Sequence, residues 1–316
     1  MNPAAPPSDP VKPRSRPGRG QIAGPLLVAL LASGLLLGCG PELEQEQAWP
    51  ASARANAGAR KIASLSPVAT SLLLELEHGD RLIAVDAESA KRPGLGHRPR
   101  VPETDDEAFL LLTSLETDLV VLPASRIALS QRLDSASIRT LVVLIRSFED
   151  GFTFFGELAG RVGAAAMARE RIAAVSRPLA AIAAESVGSE ESVDAARPRV
   201  AVVESFEPLV LVGDDQLATA LVGIAGGENV TGGRGPSSIP IGRDALVALR
   251  PALLFHARPT PPSESEREAL AASVADIAPL VVAEFDPDRF YAPESATAAR
   301  TLRTAIIALE RPGEPR

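Results

Sequence analysis

Four arginines, Arg92, Arg126, Arg234 and Arg258, stand in polar loops between apolar runs. A guanidinium presents a rigid fork of donors that matches a carboxylate or phosphate, so such loops together suit an anionic ligand. Ser66, Pro67, Glu88, Ser125, Ser237 and Ser238 lie in the same or neighbouring loops and could add polar contacts. Phe206 and Tyr291 could add an apolar wall, in a chain with only 3% aromatics. His256 closes the run ALLFH, a place from which an imidazole could ligate iron. The three histidines, His78, His97 and His256, share no metal-ligand spacing, so no dedicated metal site is expected. There is no Gly-x-Ser-x-Gly elbow and no Walker loop, and no base lies near Ser64 or Ser66 in the sequence. Neither an enzyme nor a cofactor is expected.

The single cysteine, Cys39, speaks to compartment. Residues 1–21 are polar, Pro-rich and basic, with Lys12, Arg14, Arg16 and Arg19. IAGPLLVALLASGLLLG follows, from Ile22 to Gly38. A basic start, an apolar run and a small residue at the cut describe an export signal over residues 1–38. A lone transmembrane anchor is the alternative, at the short limit of roughly 17–25 residues for a span. Leu36-Leu37-Gly38-Cys39 resembles the bacterial lipobox, with Leu37 at its middle place. That resemblance implies cleavage before Cys39 and acylation of its thiol by a palmitate-type chain. The expected location is the envelope, on a membrane facing the periplasm, with inner and outer membrane both open. One cysteine allows no intrachain disulfide.

Net charge is −8, which argues against nucleic acid as a partner. Lysine occurs only at positions 12, 61 and 91, so arginine carries nearly all positive charge. The 316 residues suit two folded units. Residues 39–59 read as a tether, and Trp49, the only Trp, lies in it.

The elements that must position the loops alternate. KIASL reads as a strand, Ser66-Pro67 as a capped helix start with Pro at the first position, and Gly79 as its stop. RLIAV and DLVVL read as strands, with a helix at 105–115 between them. A helix at 125–136 and a strand at 138–145 follow. The same order of parts recurs from RVAVV at 199–203 to a closing helix at 295–309. Strands alternating with helices argue a mainly parallel α/β sheet in each half, and ligands on such sheets sit beyond the carboxyl ends of the strands. Between the halves, from Glu149 to Glu185, apolar residues recur every three or four positions, from Phe152 and Phe155 to Leu179 and Ile182. One long helix is expected there, kinked or ended by Pro178. The expected organisation is an N-terminal α/β lobe at 60–147, a bridging helix at 148–186, a C-terminal lobe at 198–310, and a cleft between the lobes.

Four stretches, in this order, resemble the cobalamin and iron–siderophore binding proteins of ABC importers. They are KIASLSPVATSLLLELEHGDRLIAV, LLLTSLETDLVVL, the bridging helix, and GIAGGENV followed by IGRDALVALRPALLF. The resemblance spans roughly residues 61–309. It implies a monomeric, membrane-tethered receptor that holds a small metal chelate, a ferric siderophore or corrinoid, and docks on permease subunits. That docking uses an acid on each lobe tip. Asp244 falls at the second-lobe place. In the first lobe Leu110 occupies it, with Glu107 close by. The loops DAESAKRPG, PASR and GPSSIP carry no Trp or Tyr, unlike the vitamin B12 receptors of that family. The alternative is an envelope lipoprotein that keeps the fold as a sensor or interaction module.

Overall fold

The computed structural model describes residues 58–188, 197–213, 216–232 and 238–310. The expectations for Cys39, Trp49, Arg234 and Ser237 lie outside these residues.

The first lobe carries strands β1 (Ile62–Ser64), β2 (Leu82–Val85), β3 (Leu119–Pro123) and β4 (Arg139–Val143), in spatial order β2-β1-β3-β4, all parallel. Its helices are α1 (Pro67–Glu75), α2 (Asp105–Ser114) and α3 (Ile127–Ser135). The second lobe carries β5 (Arg199–Phe206), β6 (Leu209–Leu211), β7 (Glu228–Asn229), β8 (Ile239–Pro240), β9 (Leu253–Arg258) and β10 (Leu280–Glu284). They run β10-β9-β5-β6-β8, with β7 also on β5. The pairs β5–β6 and β6–β8 are antiparallel, and the rest parallel. Helices α6 (Leu217–Ile224), α7 (Arg243–Ala248), α8 (Glu264–Val274) and α9 (Glu294–Glu310) complete it.

The linking stretch is two helices, not one rod. α4 (Phe148–Val162) starts on a capping box: the Ser147 hydroxyl accepts from the Asp150 amide at 3.0 Å, and Asp150 Oδ2 accepts from the Ser147 amide at 3.1 Å. It stops at Gly163, whose φ of 82° is left-handed, a conformation that glycine adopts without a Cβ penalty. α5 (Ala165–Gly188) then runs straight through Pro178. Pro178 removes one donor, but Val175, Leu179 and Ile182 stay buried on either side, so packing holds the turn that the proline weakens. The stop expected at Gly79 falls earlier, at Glu77 with φ 59°. Ser66 precedes α1 as expected, but its side chain makes no cap hydrogen bond.

Burial along the strands explains how the lobes join. In β1 and β3, Ile62, Leu119 and Val121 face one cluster, while Ala63, Val120 and Leu122 face another. In β5 and β9, Val200, Val202, Leu253 and Phe255 face that same first cluster, while Ala201, Val203 and Leu254 face a third. Alternation with period two gives each sheet two apolar faces. Each outer face is covered by its own helices, α2 and α3 on one lobe, α7 and α8 on the other. Both inner faces rest on one shared layer built from α1, α4, α5, α6 and α9. The sheets are separate, but the lobes are not independent globules: a single core runs through both.

Candidate functional site

A cavity of about 870 Å³ opens beyond the carboxyl ends of β5 and β9. Leu209, Leu246, Leu270, Val274 and Ile277 supply apolar lining, and Phe206, His256 and Arg258 bring the polar and aromatic groups. Every lining residue belongs to the second lobe. The sheet positions them: β9 ends on His256-Ala257-Arg258, and β5 runs on to Phe206 beside it. The Arg243 guanidinium lashes α7 to α8, donating to the Ser273 carbonyl at 3.0 Å and pairing with Asp276.

His256 is 7% exposed, and its Nδ1 sits 2.8 Å from the Val203 carbonyl oxygen. A carbonyl can only accept, so Nδ1 carries the proton and donates it, leaving the lone pair on Nε2. Burial holds the imidazole below its usual titration range; the Val203 bond opposes this and the nearby Arg258 charge adds to it. The ring is therefore neutral at neutral pH. It packs edge-on to Phe206, with centroids 5.2 Å apart. The arrangement offers the His256 acceptor, the Arg243 and Arg258 cations, the carboxylates of Glu204, Glu207 and Glu266, and an apolar bed.

The first-lobe candidates gather elsewhere. Ser66 and Pro67 open α1, and Glu88 and Arg92 lie in the loop after β2. Arg92 reaches across the seam to Asp288 at 3.2 Å and lies 3.5 Å from the Pro67 carbonyl. Glu88 pairs with Lys91. Tyr291, expected as a ligand wall, is 5% exposed and belongs to the same seam. Its hydroxyl donates to the Ser71 carbonyl at 3.2 Å, and its ring lies 5.4 Å from Phe155. Arg126 is occupied on the first lobe by Asp105 at 2.8 Å and by the Pro102 carbonyl, with Ser125 exposed beside it. Ser238 is exposed at the start of β8. Sequence reasoning missed the cavity's apolar lining on α7 and α8, although Leu270 and Val274, four apart on α8, carried part of its signal.

The seam carboxylate Asp288 has an unusual balance. Its pKa is pushed up from 3.8 to about 6, first by burial, then by Asp286, with Asp86 and Glu88 adding and Arg92 opposing. The folded chain thus holds this proton more tightly than the unfolded one. The group favours folding below the ordinary carboxylate range, and that contribution is lost as pH rises through about 6. Asp288→Asn is therefore expected to raise the melting temperature at pH 8, with the gain vanishing by pH 4. With 32% of the side chain still wet, the gain should be smaller than the full shift implies. A lower melting temperature at pH 8 would mean that the Arg92 bridge outweighs burial.

The tip acids divide. Asp244 is exposed in the first turn of α7. Glu107 is exposed on α2 and accepts from the Thr104 hydroxyl at 2.7 Å. Asp105 and Asp106 are tied to Arg126 and Arg132, while Leu110 stands 68% exposed. Among the described residues no group of acidic, histidine or cysteine side chains is placed to hold a metal ion, and no helix is long and apolar enough to cross a membrane.

No family model matches the sequence, and no curated protein does. Solved structures do match. The periplasmic vitamin B12 binding protein of Vibrio cholerae superposes with a TM-score of 0.59 at 15% identity, over 80% of this chain and 98% of that one. This chain has the fold of the two-lobed periplasmic solute-binding proteins. A periplasmic heme binding protein from Pseudomonas aeruginosa gives 0.57 at 18% identity, covering 78% and 92%. An ABC-type Fe3+-hydroxamate transport protein from Saccharomonospora viridis gives 0.52 at 15%, covering 78% and 93%. In this fold the inner sheet faces and the linking helices form the frame, and the strand ends carry the variable chemistry.

Proposed function

We propose that this chain is a lipid-anchored solute-binding protein of an ABC importer, holding a small metal chelate such as a ferric siderophore or corrinoid. The observation that carries this reading is the cavity at the strand ends, where Phe206, His256 and Arg258 converge over an apolar bed. Its size falls in the usual range of small-molecule sites. The names of the similar structures, for vitamin B12, heme and Fe3+-hydroxamate, support a chelate. No covalent step is involved. Binding would be steered by Arg258, with Asp244 and Glu107 offered to the permease.

Titrating the purified protein with ferric siderophores, haem and cobalamin, and following the melting temperature, tests it. A ligand at a hundred times its Kd stabilises by about 2.7 kcal/mol. No shift with any of the three, far above micromolar concentration, overturns the reading. Cys39→Ser is expected to release the protein from membranes, and unchanged attachment would remove the lipid anchor. A second reading, an envelope module without transport, draws on Leu110. Its exposed side chain and the Asp105 and Asp106 ion pairs leave the first tip with less free acid than docking uses.

A further inference from the structure

We infer that the first lobe meets the solute through an aliphatic lip, Ile127 and Leu144, and that the solute is a metal chelate with an apolar outer face. The inference rests on the solute-binding reading above, and adds the first-lobe contact and the surface chemistry of the chelate. The location follows from the strand ends. All four first-lobe strands are parallel, so β3 and β4 end on the same edge as β1 and β2. That edge meets the second lobe: Arg92, after β2, reaches Asp288, and the Phe148 ring lies 6.3 Å from that of Phe285, the residue after β10. Leu144 directly follows β4, four residues before Phe148. Ile127 opens α3, just beyond the 3-10 turn Ala124–Arg126 that ends β3. Pro123 pairs with Val143, which sets Ala124 beside Leu144, and a 2.7 Å hydroxyl bond between Ser130 and Thr140 holds α3 on β4. In the second lobe β5 and β9 run parallel to β10, so the cavity opens on the edge where β10 ends.

The chemistry follows from which side chains are left uncovered there. Val143 and Ile145 pack against the shared core, and Leu144 between them is turned away from it and 53% exposed. Ile127 is 50% exposed, although α3 buries Leu129 and Leu133. A single exposed aliphatic side chain is ordinary. Two of them at the carboxyl ends of adjacent parallel strands stand where open α/β sheets bind their ligands. The cation on the same turn, Arg126, is already engaged by Asp105 and the Pro102 carbonyl, so charge is not what this loop offers. An aliphatic lip rewards apolar area brought over it, in rough proportion to the area covered. A chelate that is hydrophilic all round would leave both side chains wet. One with an alkyl or macrocyclic apolar face covers them.

The test is titration of the purified full-length chain with ferric tris(acetohydroxamate) and ferric tris(hexanohydroxamate), which share metal and charge and differ in alkyl surface. The hexanoyl complex is expected to bind at least about tenfold more tightly. Ile127→Ser combined with Leu144→Ser should abolish that preference and leave the melting temperature of the free protein unchanged. Ile127→Val combined with Leu144→Met should retain it. Equal binding of the two complexes, or a preference that survives the serine pair, overturns the inference; stabilisation by any chelate in the titration above would still leave the importer reading standing. If neither hydroxamate complex binds, the neutral fluorophore N-phenyl-1-naphthylamine reads the lip directly. Dye binding that the serine pair weakens at least about tenfold upholds the lip. Dye binding equal in both proteins, or none, overturns it. Lip-dependent dye binding without stabilisation by any chelate would keep the apolar contact and overturn the importer reading.

Discussion

Phe290→Ala is expected to destabilise the protein by about 3–5 kcal/mol, a drop in melting temperature on the order of 10 °C. Phe290 is fully buried where the segment after β10 meets α4. Its ring centroid lies 5.8 Å from that of Phe152 and 5.7 Å from that of Tyr291. It also packs directly on backbone: a Cβ at Gly151 would come within 2.7 Å of Phe290 Cε2. Gly151→Ala is therefore an overpacking change, costing about 1–3 kcal/mol, less the roughly 1 kcal/mol that alanine gains over glycine inside a helix. The two substitutions must interact. Once the ring is gone, the alanine has room, and Gly151→Ala should become stabilising by roughly 0.5–1 kcal/mol in the Phe290→Ala background. A urea-unfolding double-mutant cycle reads this reversal of sign. Simple additivity would show that the ring yields instead.

Gly227→Val is the second change with a large expected effect, about 3 kcal/mol or more, enough to lose much of the folded protein. A Cβ at this glycine would sit 2.9 Å from Val200 Cγ2, 3.0 Å from Val222 Cγ1 and 3.2 Å from Ile306 Cδ1. Those atoms belong to β5, α6 and α9, all buried in the shared core, so there is no free direction in which to yield. The cost here is packing. At Gly226 it is backbone as well, with φ at 90° and a Cβ contact of 2.9 Å to Ser186. Val222→Ala in the Gly227→Val chain should recover part of the loss, read from the unfolding midpoint. No recovery would place the strain elsewhere.

Local signals were legible and long-range ones were not. The strands at 62–64, 82–85 and 119–123 followed from short apolar runs, and the start of α8 is marked locally by the capping box of Ser263 and Glu266. The α/β class with two lobes followed from the alternation of such units. The break at Gly163 was marked by the glycine itself, but the apolar period continues across it, since both helices bury the same kind of stripe. The fate of Tyr291 left no local mark, because its hydroxyl partner lies 220 residues away. Arg92 was equally opaque, since its carboxylate lies 196 residues on. A loop arginine facing solvent and one bridging two lobes look alike in sequence.

The ring contacts across the seam tie the middle of the chain to its end. Phe148 meets Phe285, Phe152 meets Phe290, and Phe155 meets Tyr291, so the chain's last stretch closes the inner layer that its first stretch began. A chain ending before Phe285 would therefore lack the ring partners of Phe148, Phe152 and Phe155, and the inner layer would stay open on that side.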